Sequence, residues 1–213
     1  MPYIQVHRDL CDQDGDQGTK TQICLTKFPE LFDSHWNGDP STRSVEIYAK
    51  EFVETDMPHD RLFGFMRMVF GWGGSPYVGN KFMTHNAEKL QDVHSAILAS
   101  HKYLNEKNDK AAIESLTALK GLDVSYASKH LKFLDPENAV VLDSIIVREL
   151  GYENSEDGYV EFVGKCREWK ELLNEKRIAC GRSREGTWRV SDVEMAVFKH
   201  VEKTFPKPKK KKT

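Results

Sequence analysis

No stretch of the 213 residues approaches the ~20 consecutive apolar positions that a bilayer-crossing helix needs. The opening MPYIQVHRDLCDQDGDQ also lacks the basic start and apolar centre of a secretory signal. Together these absences predict a soluble intracellular protein, of cytoplasm, nucleoid or nucleus, with no membrane partner. Cysteine is scarce. Cys11, Cys24, Cys166 and Cys180 include no CxxC pair, so neither a zinc site nor a thioredoxin-like motif is expected, and reduced, partly buried thiols are. The glycines of Gly71-Trp72-Gly73-Gly74 follow neither the GxGxxG order nor the GKS/T ending of a nucleotide loop, and they predict a tight turn displaying Trp72. The acidic DQDGDQG at 12–18 starts like a calcium loop, but Ile23 stands where a bidentate glutamate should close it. His94 and His101 lie seven apart with no further ligands in view, so core or surface histidines are expected rather than a metal site. No metal or cofactor is implied.

What is present is enough for one buried core. The chain is 39% hydrophobic with 11 Phe, 7 Tyr and 4 Trp, which excludes wholesale disorder even with 30% of residues charged. The net charge of -2 hides an asymmetry, because the terminal PKPKKKKT carries five lysines and no acid. Removing those five from the 31 basic residues leaves 26 against 33 acidic ones. Residues 206–213 therefore read as a flexible basic tail, since neighbouring ammonium groups repel and nothing apolar is there to bury. An acidic body argues against a protein that coats nucleic acid, not against one that docks through a small patch.

Along the chain, residues 1–43 alternate short extended-looking runs such as Gln22-Ile23-Cys24-Leu25 with Gly, Asp and Pro, and predict an irregular segment with at most a short hairpin. From about Ser44 the pattern is helical, with Phe63, Met66, Arg67 and Phe70 on neighbouring turns. Leu90, Val93, Ile97, Leu98 and Leu104 form the apolar stripe of a longer helix. Short helices follow over Ala111–Leu119 and Val124–Leu134, with Lys120-Gly121-Leu122-Asp123 as the turn between them and Asp135-Pro136 as terminator. Asp143 stands in N-cap position before Ile145-Ile146-Val147, and amphipathic segments cover Tyr159–Leu173 and Asp192–Val201. The fold class predicted is mainly α: one helical domain over 44–205 behind the irregular segment.

The informative stretch is Leu116–Leu150, LTALKGLDVSYASKHLKFLDPENAVVLDSIIVREL. Two short helices joined at Gly121 make a helix-hairpin-helix at about 111–134, where glycine lets the backbone approach a phosphate and the second helix aims free N–H groups at it. Such a unit positions DNA without reading its bases. Lys120, Gly121, Asp123, Val124 and Ser125 are its expected DNA contacts. Past the second helix and the apolar Val140-Val141-Leu142, Asp143 opens another helix.

This order of parts resembles the helix-hairpin-helix superfamily of DNA glycosylases, and within it the divergent 8-oxoguanine glycosylases. The likeness covers roughly a sixth of the chain. Where the superfamily reads Leu-Pro-Gly-Val-Gly, this chain has Leu119-Lys120-Gly121-Leu122-Asp123, so one glycine is kept and a carboxylate replaces the other. The common branch carries its lysine in the first helical turn, where this chain has Ser125, and Lys129 lies one turn further on the same face. The resemblance implies that Lys129 is the nucleophile at C1′ of the sugar and that Asp143 stabilises the positive charge developing there. Taken singly, Lys129 is an ordinary helical lysine and Asp143 an ordinary cap; their order around the hairpin carries the catalytic expectation.

Recognition of a damaged base needs an aromatic wall and polar groups. Trp72, Phe133 and Trp188 are the candidate walls, with Phe70 as another aromatic in range, and Asp192 lies in a segment similar to the family's C-terminal element beside the pocket. The expected activity is excision of a modified purine, 8-oxoguanine favoured, from double-stranded DNA by a monomeric glycosylase and AP lyase in base excision repair. Three rivals stand beside it: a related glycosylase that excises a modified base from phage DNA, a non-catalytic DNA-binding module, and a protein-interaction domain. A catalytic Lys129 must face a cleft near Asp143, whereas a phosphate-binding lysine faces open solvent.

Overall fold

The computed structural model describes residues 3–6, 22–180 and 186–205. The terminal lysines, the DQDGDQG run and Cys11 lie outside them. Strands β1 (Tyr3–Gln5) and β2 (Gln22–Cys24) pair antiparallel with Ile4 opposite Ile23, and both isoleucines are buried, as alternation across one face of a pleated pair requires. A short 3-10 turn, Leu25–Lys27, leads into the helices.

Helices begin earlier than the composition suggests. α1 spans Phe28–Gly38 and α2 spans Pro40–Glu54, so 28–43 is helical and Ser44 lies inside α2. The prolines that read as breaks start these helices instead: Pro29 and Pro40 occupy the first helical positions, where the N–H that proline lacks has no partner anyway. Asp39 caps α2, its Oδ1 accepting from Ser41 N at 3.1 Å.

α3 (Leu62–Trp72) stops at Gly73, and its buried face is Leu62, Phe65, Met66, Val69 and Phe70. Phe63 is only partly buried and Arg67 is exposed, so the apolar stripe is rotated from the expected one. α4 (Pro76–Asn86) and α5 (Leu90–Asn105) follow. His94 on α5 bonds the Met57 carbonyl at 2.7 Å and stacks edge-on against His59. α6 (Asp109–Thr117) and α7 (Val124–Leu134) form the expected helical hairpin. Gly121 sits between them at φ +96°, a conformation that side chains strain to reach. α8 (Ser144–Leu150), α9 (Glu156–Glu175) and α10 (Val190–Thr204) complete the chain.

α7 is the central helix. It packs against α2, α3, α5, α6 and α9, and every residue from Ala127 to Leu134 is buried. A helix covered all round is usually apolar all round; this one carries Lys129, His130 and Lys132. The segment Ala139–Leu142 runs beneath it, with Ser128 Oγ accepting from Leu142 N at 3.1 Å. α10 lies along α1, and Trp188 plugs the space at its head: it is wholly buried, edge-on to Phe28 and Phe32, and its Nε1 donates to the Ile178 carbonyl at 2.7 Å. Among the described residues no helix is long and apolar enough to cross a membrane.

Candidate functional site

A cavity of about 210 Å³ opens where α1, α3, α7, α8 and α10 meet. Lys129 and Lys132 enter it from α7, Asp143 from the head of α8, Trp72 from the end of α3, His35 from α1 and Glu194 from α10. Three of these six residues, Trp72, His35 and Glu194, belong to elements outside the hairpin and the helix that follows it.

Lys129 is 8% exposed. Its Nζ donates to Ser125 Oγ at 3.1 Å and lies 4.4 Å from the centre of the Tyr126 ring. Gly73 makes room for it, because a Cβ there would stand 3.1 Å from Lys129 Cδ and equally close to Tyr126. Burial pushes the ammonium pKa below its ordinary value, and the Asp143, Asp123 and Glu194 charges only partly oppose that. Ser125 and Lys129 thus share one face one turn apart, and it is the lysine that reaches the cavity.

Asp143 is pinned as the α8 cap, Oδ1 accepting from Ile145 N at 2.9 Å and Ile146 N at 3.0 Å. Two backbone bonds hold the carboxylate at the cavity edge in one orientation. Lys132 and Glu194 form a buried ion pair at 3.2 Å, with side chains 1% and 4% exposed. Lys132 Nζ also stands 5.0 Å from the Trp72 ring centre. Burial raises the Glu194 pKa, with the Lys132 charge and hydrogen bond pulling the other way. Trp72 is fixed from behind: Nε1 donates to Thr42 Oγ1 at 2.7 Å and to Asp39 Oδ2 at 3.1 Å, and Phe133 packs edge-on at 4.9 Å.

The other expected pocket residues lie elsewhere. Trp188 belongs to the core, because its ring completes the contact between α1 and the head of α10. Asp192 is wholly buried in a capping box with Arg189, whose guanidinium also grips Glu46 of α2 through bonds of 3.0 and 3.1 Å. Cys180 Sγ lies 3.6 Å from Asp192 Oδ2. That carboxylate ties α10 to α2 and is absent from the cavity wall. Phe133 backs Trp72 but lines a separate surface cavity of about 460 Å³, with Trp36 and Arg43. Phe70 packs between Phe82, Tyr126 and His130.

The hairpin presents Lys120, Gly121 and Asp123 to solvent. The Lys120 carbonyl accepts from Asn86 Nδ2 at 3.0 Å, which anchors the turn to α4. Asp123 caps α7, accepting from Tyr126 N at 2.9 Å. Val124 and Ser125 occupy the first turn, where no preceding helical carbonyl can accept their N–H groups.

Sequence reasoning missed His35, Asp39 and Glu194 as parts of the site. Lys132 had one signal, its i+3 relation to Lys129. His35 had none, because its helix was hidden behind proline punctuation. Compared with known proteins, the chain matches no family model, no curated protein and no solved structure.

Proposed function

We propose that this chain is a DNA glycosylase with AP-lyase activity, acting as a monomer on double-stranded DNA that contains a modified purine, 8-oxoguanine in the first instance. The observation that carries the proposal is the burial of Lys129 in the cavity that Asp143 also lines. A lysine that only held backbone phosphate would keep its ammonium in water. Burial instead favours the neutral amine, the form that can act as a nucleophile.

In this reaction the Lys129 nitrogen lone pair forms a bond to C1′ while the glycosidic bond to N9 breaks. The base leaves with that electron pair and takes up a proton. Positive charge on the sugar in between is stabilised by the Asp143 carboxylate, already oriented by its two backbone bonds. The amine then loses a proton, and its lone pair opens the C1′–O4′ bond, whose oxygen takes up a proton, to give an iminium linkage between Lys129 and the sugar. Removal of a C2′ proton then expels the 3′ phosphate and cuts the strand. Trp72 offers a rigid aromatic face against which a flipped base can stack. The hairpin turn, with the N–H groups of Val124 and Ser125, is the matching contact for the DNA backbone.

Borohydride trapping on duplexes with and without 8-oxoguanine tests this, because borohydride reduces the iminium to a permanent adduct. Wild type is expected to form a lesion-dependent adduct. Lys129→Gln should form none while still binding the duplex, and Asp143→Asn should lose about 100-fold or more in base release. Binding indifferent to the lesion, with neither adduct nor base release, would leave the non-catalytic DNA-binding module as the better account.

A further inference from the structure

α1 brings to the cavity a side chain that the chemistry above does not use. His35 lines the wall beside Asp39 and Trp72, and its Nε2 is buried without a hydrogen-bond partner. The ring is held edge-on against Phe198 of α10, centres 5.7 Å apart. Burial, helped by the Lys132 charge, takes its pKa down to about 4; Lys199 adds to this, while Asp39 and Glu202 oppose it. The remaining charged groups of the cavity are Lys129, Asp143 and Glu194. At neutral pH the imidazole is therefore uncharged, with one nitrogen bearing hydrogen and the other a lone pair.

Each other polar side chain of the wall has at least one partner. Lys132 holds Glu194, Trp72 donates to Thr42 and Asp39, Asp143 Oδ1 caps α8, and Lys129 donates to Ser125. A buried polar atom left unpaired calls for an explanation, and a ligand that supplies the missing bond is one. A flipped purine brings such a bond, because its ring edge consists of N–H and carbonyl groups that lose water on entry.

We propose that His35 is a specificity-determining residue of this site, hydrogen-bonding through its ring nitrogen to the polar edge of a flipped 8-oxoguanine. The proposal rests on the glycosylase reading. It separates recognition from chemistry: His35 reads the base, and Lys129 attacks the sugar.

Two substrates distinguish these roles, a duplex containing 8-oxoguanine and the same duplex with a preformed abasic site in its place. The abasic aldehyde can condense with Lys129 although there is no base to read. Wild type is expected to be trapped by borohydride on both. His35→Leu should be trapped on the abasic duplex at the wild-type rate, which also shows that the site is intact, but should release 8-oxoguanine at least about tenfold more slowly in single turnover. His35→Gln, which keeps a donor and an acceptor, should recover part of that loss. Equal base release by His35→Leu and wild type overturns the role of His35, as does an equal loss on both duplexes. Wild type that is trapped on the abasic duplex but leaves 8-oxoguanine in place overturns the assignment of the base. Wild type that is trapped on neither sinks the glycosylase reading itself and the role of His35 with it.

Discussion

Lys132 and Glu194 hold opposite charges 3.2 Å apart where water scarcely reaches. Taking both out of water costs several kcal/mol for each ion, and the pair recovers this only while both partners are present. Lys132→Met should therefore lose about 3–5 kcal/mol in urea unfolding, because it strands the Glu194 carboxylate, whereas Lys132→Met with Glu194→Leu should recover most of the loss. A double variant as unstable as the single one would show that the pair is not coupled. The same lysine lies over Trp72, so the single variant should also loosen that wall, read as a change in tryptophan emission. Apart from its i+3 relation to Lys129, nothing in the local sequence distinguishes Lys132 from a solvated helical lysine. Its partner is 62 positions away on another helix.

Among the elements, the hairpin was the most legible. Gly121 marks a turn because a positive φ is cheap only without a Cβ, and Asp123 and Asp143 mark helix starts because a short carboxylate reaches back to orphan N–H groups. These are chemistries of adjacent residues, so they can be read along the chain. Asp123 resolves in a particular way: its carboxylate caps α7 but stays at the end where, on the proposed function, a DNA phosphate would approach. Asp123→Asn keeps the cap and removes the charge, so duplex binding at low salt should tighten a few-fold with stability within about 0.5 kcal/mol of wild type. Asp123→Ala should lose about 1 kcal/mol by comparison. Fluorescence anisotropy and thermal melts check the two effects; unchanged affinity in Asp123→Asn would place the phosphate contact elsewhere. α1 and α2 were less legible, because a proline reads as a stop unless the chain before it is known to be outside the helix. Only the capping of α2 by Asp39 shows on which side of Pro40 the helix lies.

For the whole molecule, His130 in the core and His35 on the cavity wall are both held uncharged at neutral pH. His130 lies wholly buried in α7, its Nδ1 2.7 Å from the Tyr126 carbonyl, and burial takes its pKa down to about 4, as it does for His35. An unfolded histidine takes up its proton near pH 6.5. Between about pH 6.5 and 4 the unfolded chain therefore binds protons that the folded chain refuses, and stability falls as pH falls through that window. Each histidine contributes on the order of 3 kcal/mol to the loss at its acid end, with the more enclosed His130 nearer that figure. Urea melts from pH 7.5 to 4 should show the decline, and His130→Leu should flatten its slope by about one proton. The same slope in His130→Leu and wild type would place the titration elsewhere.

The sequence by itself determined the helical class, the hairpin between α6 and α7, and the aspartate cap of α8. Each follows from groups that meet across a few bonds: apolar residues at helical spacing, a glycine at a turn, a carboxylate before a run of free N–H groups. Tertiary structure alone decided which side chains share the cavity. It sent Trp188 and Asp192 into the core and drew His35, Trp72 and Glu194 to Lys129 from three different helices. The burial that pushes the Lys129 pKa below its ordinary value is a property of those packed neighbours. Desolvation depends on what surrounds a group in space, and no spacing along the chain records it.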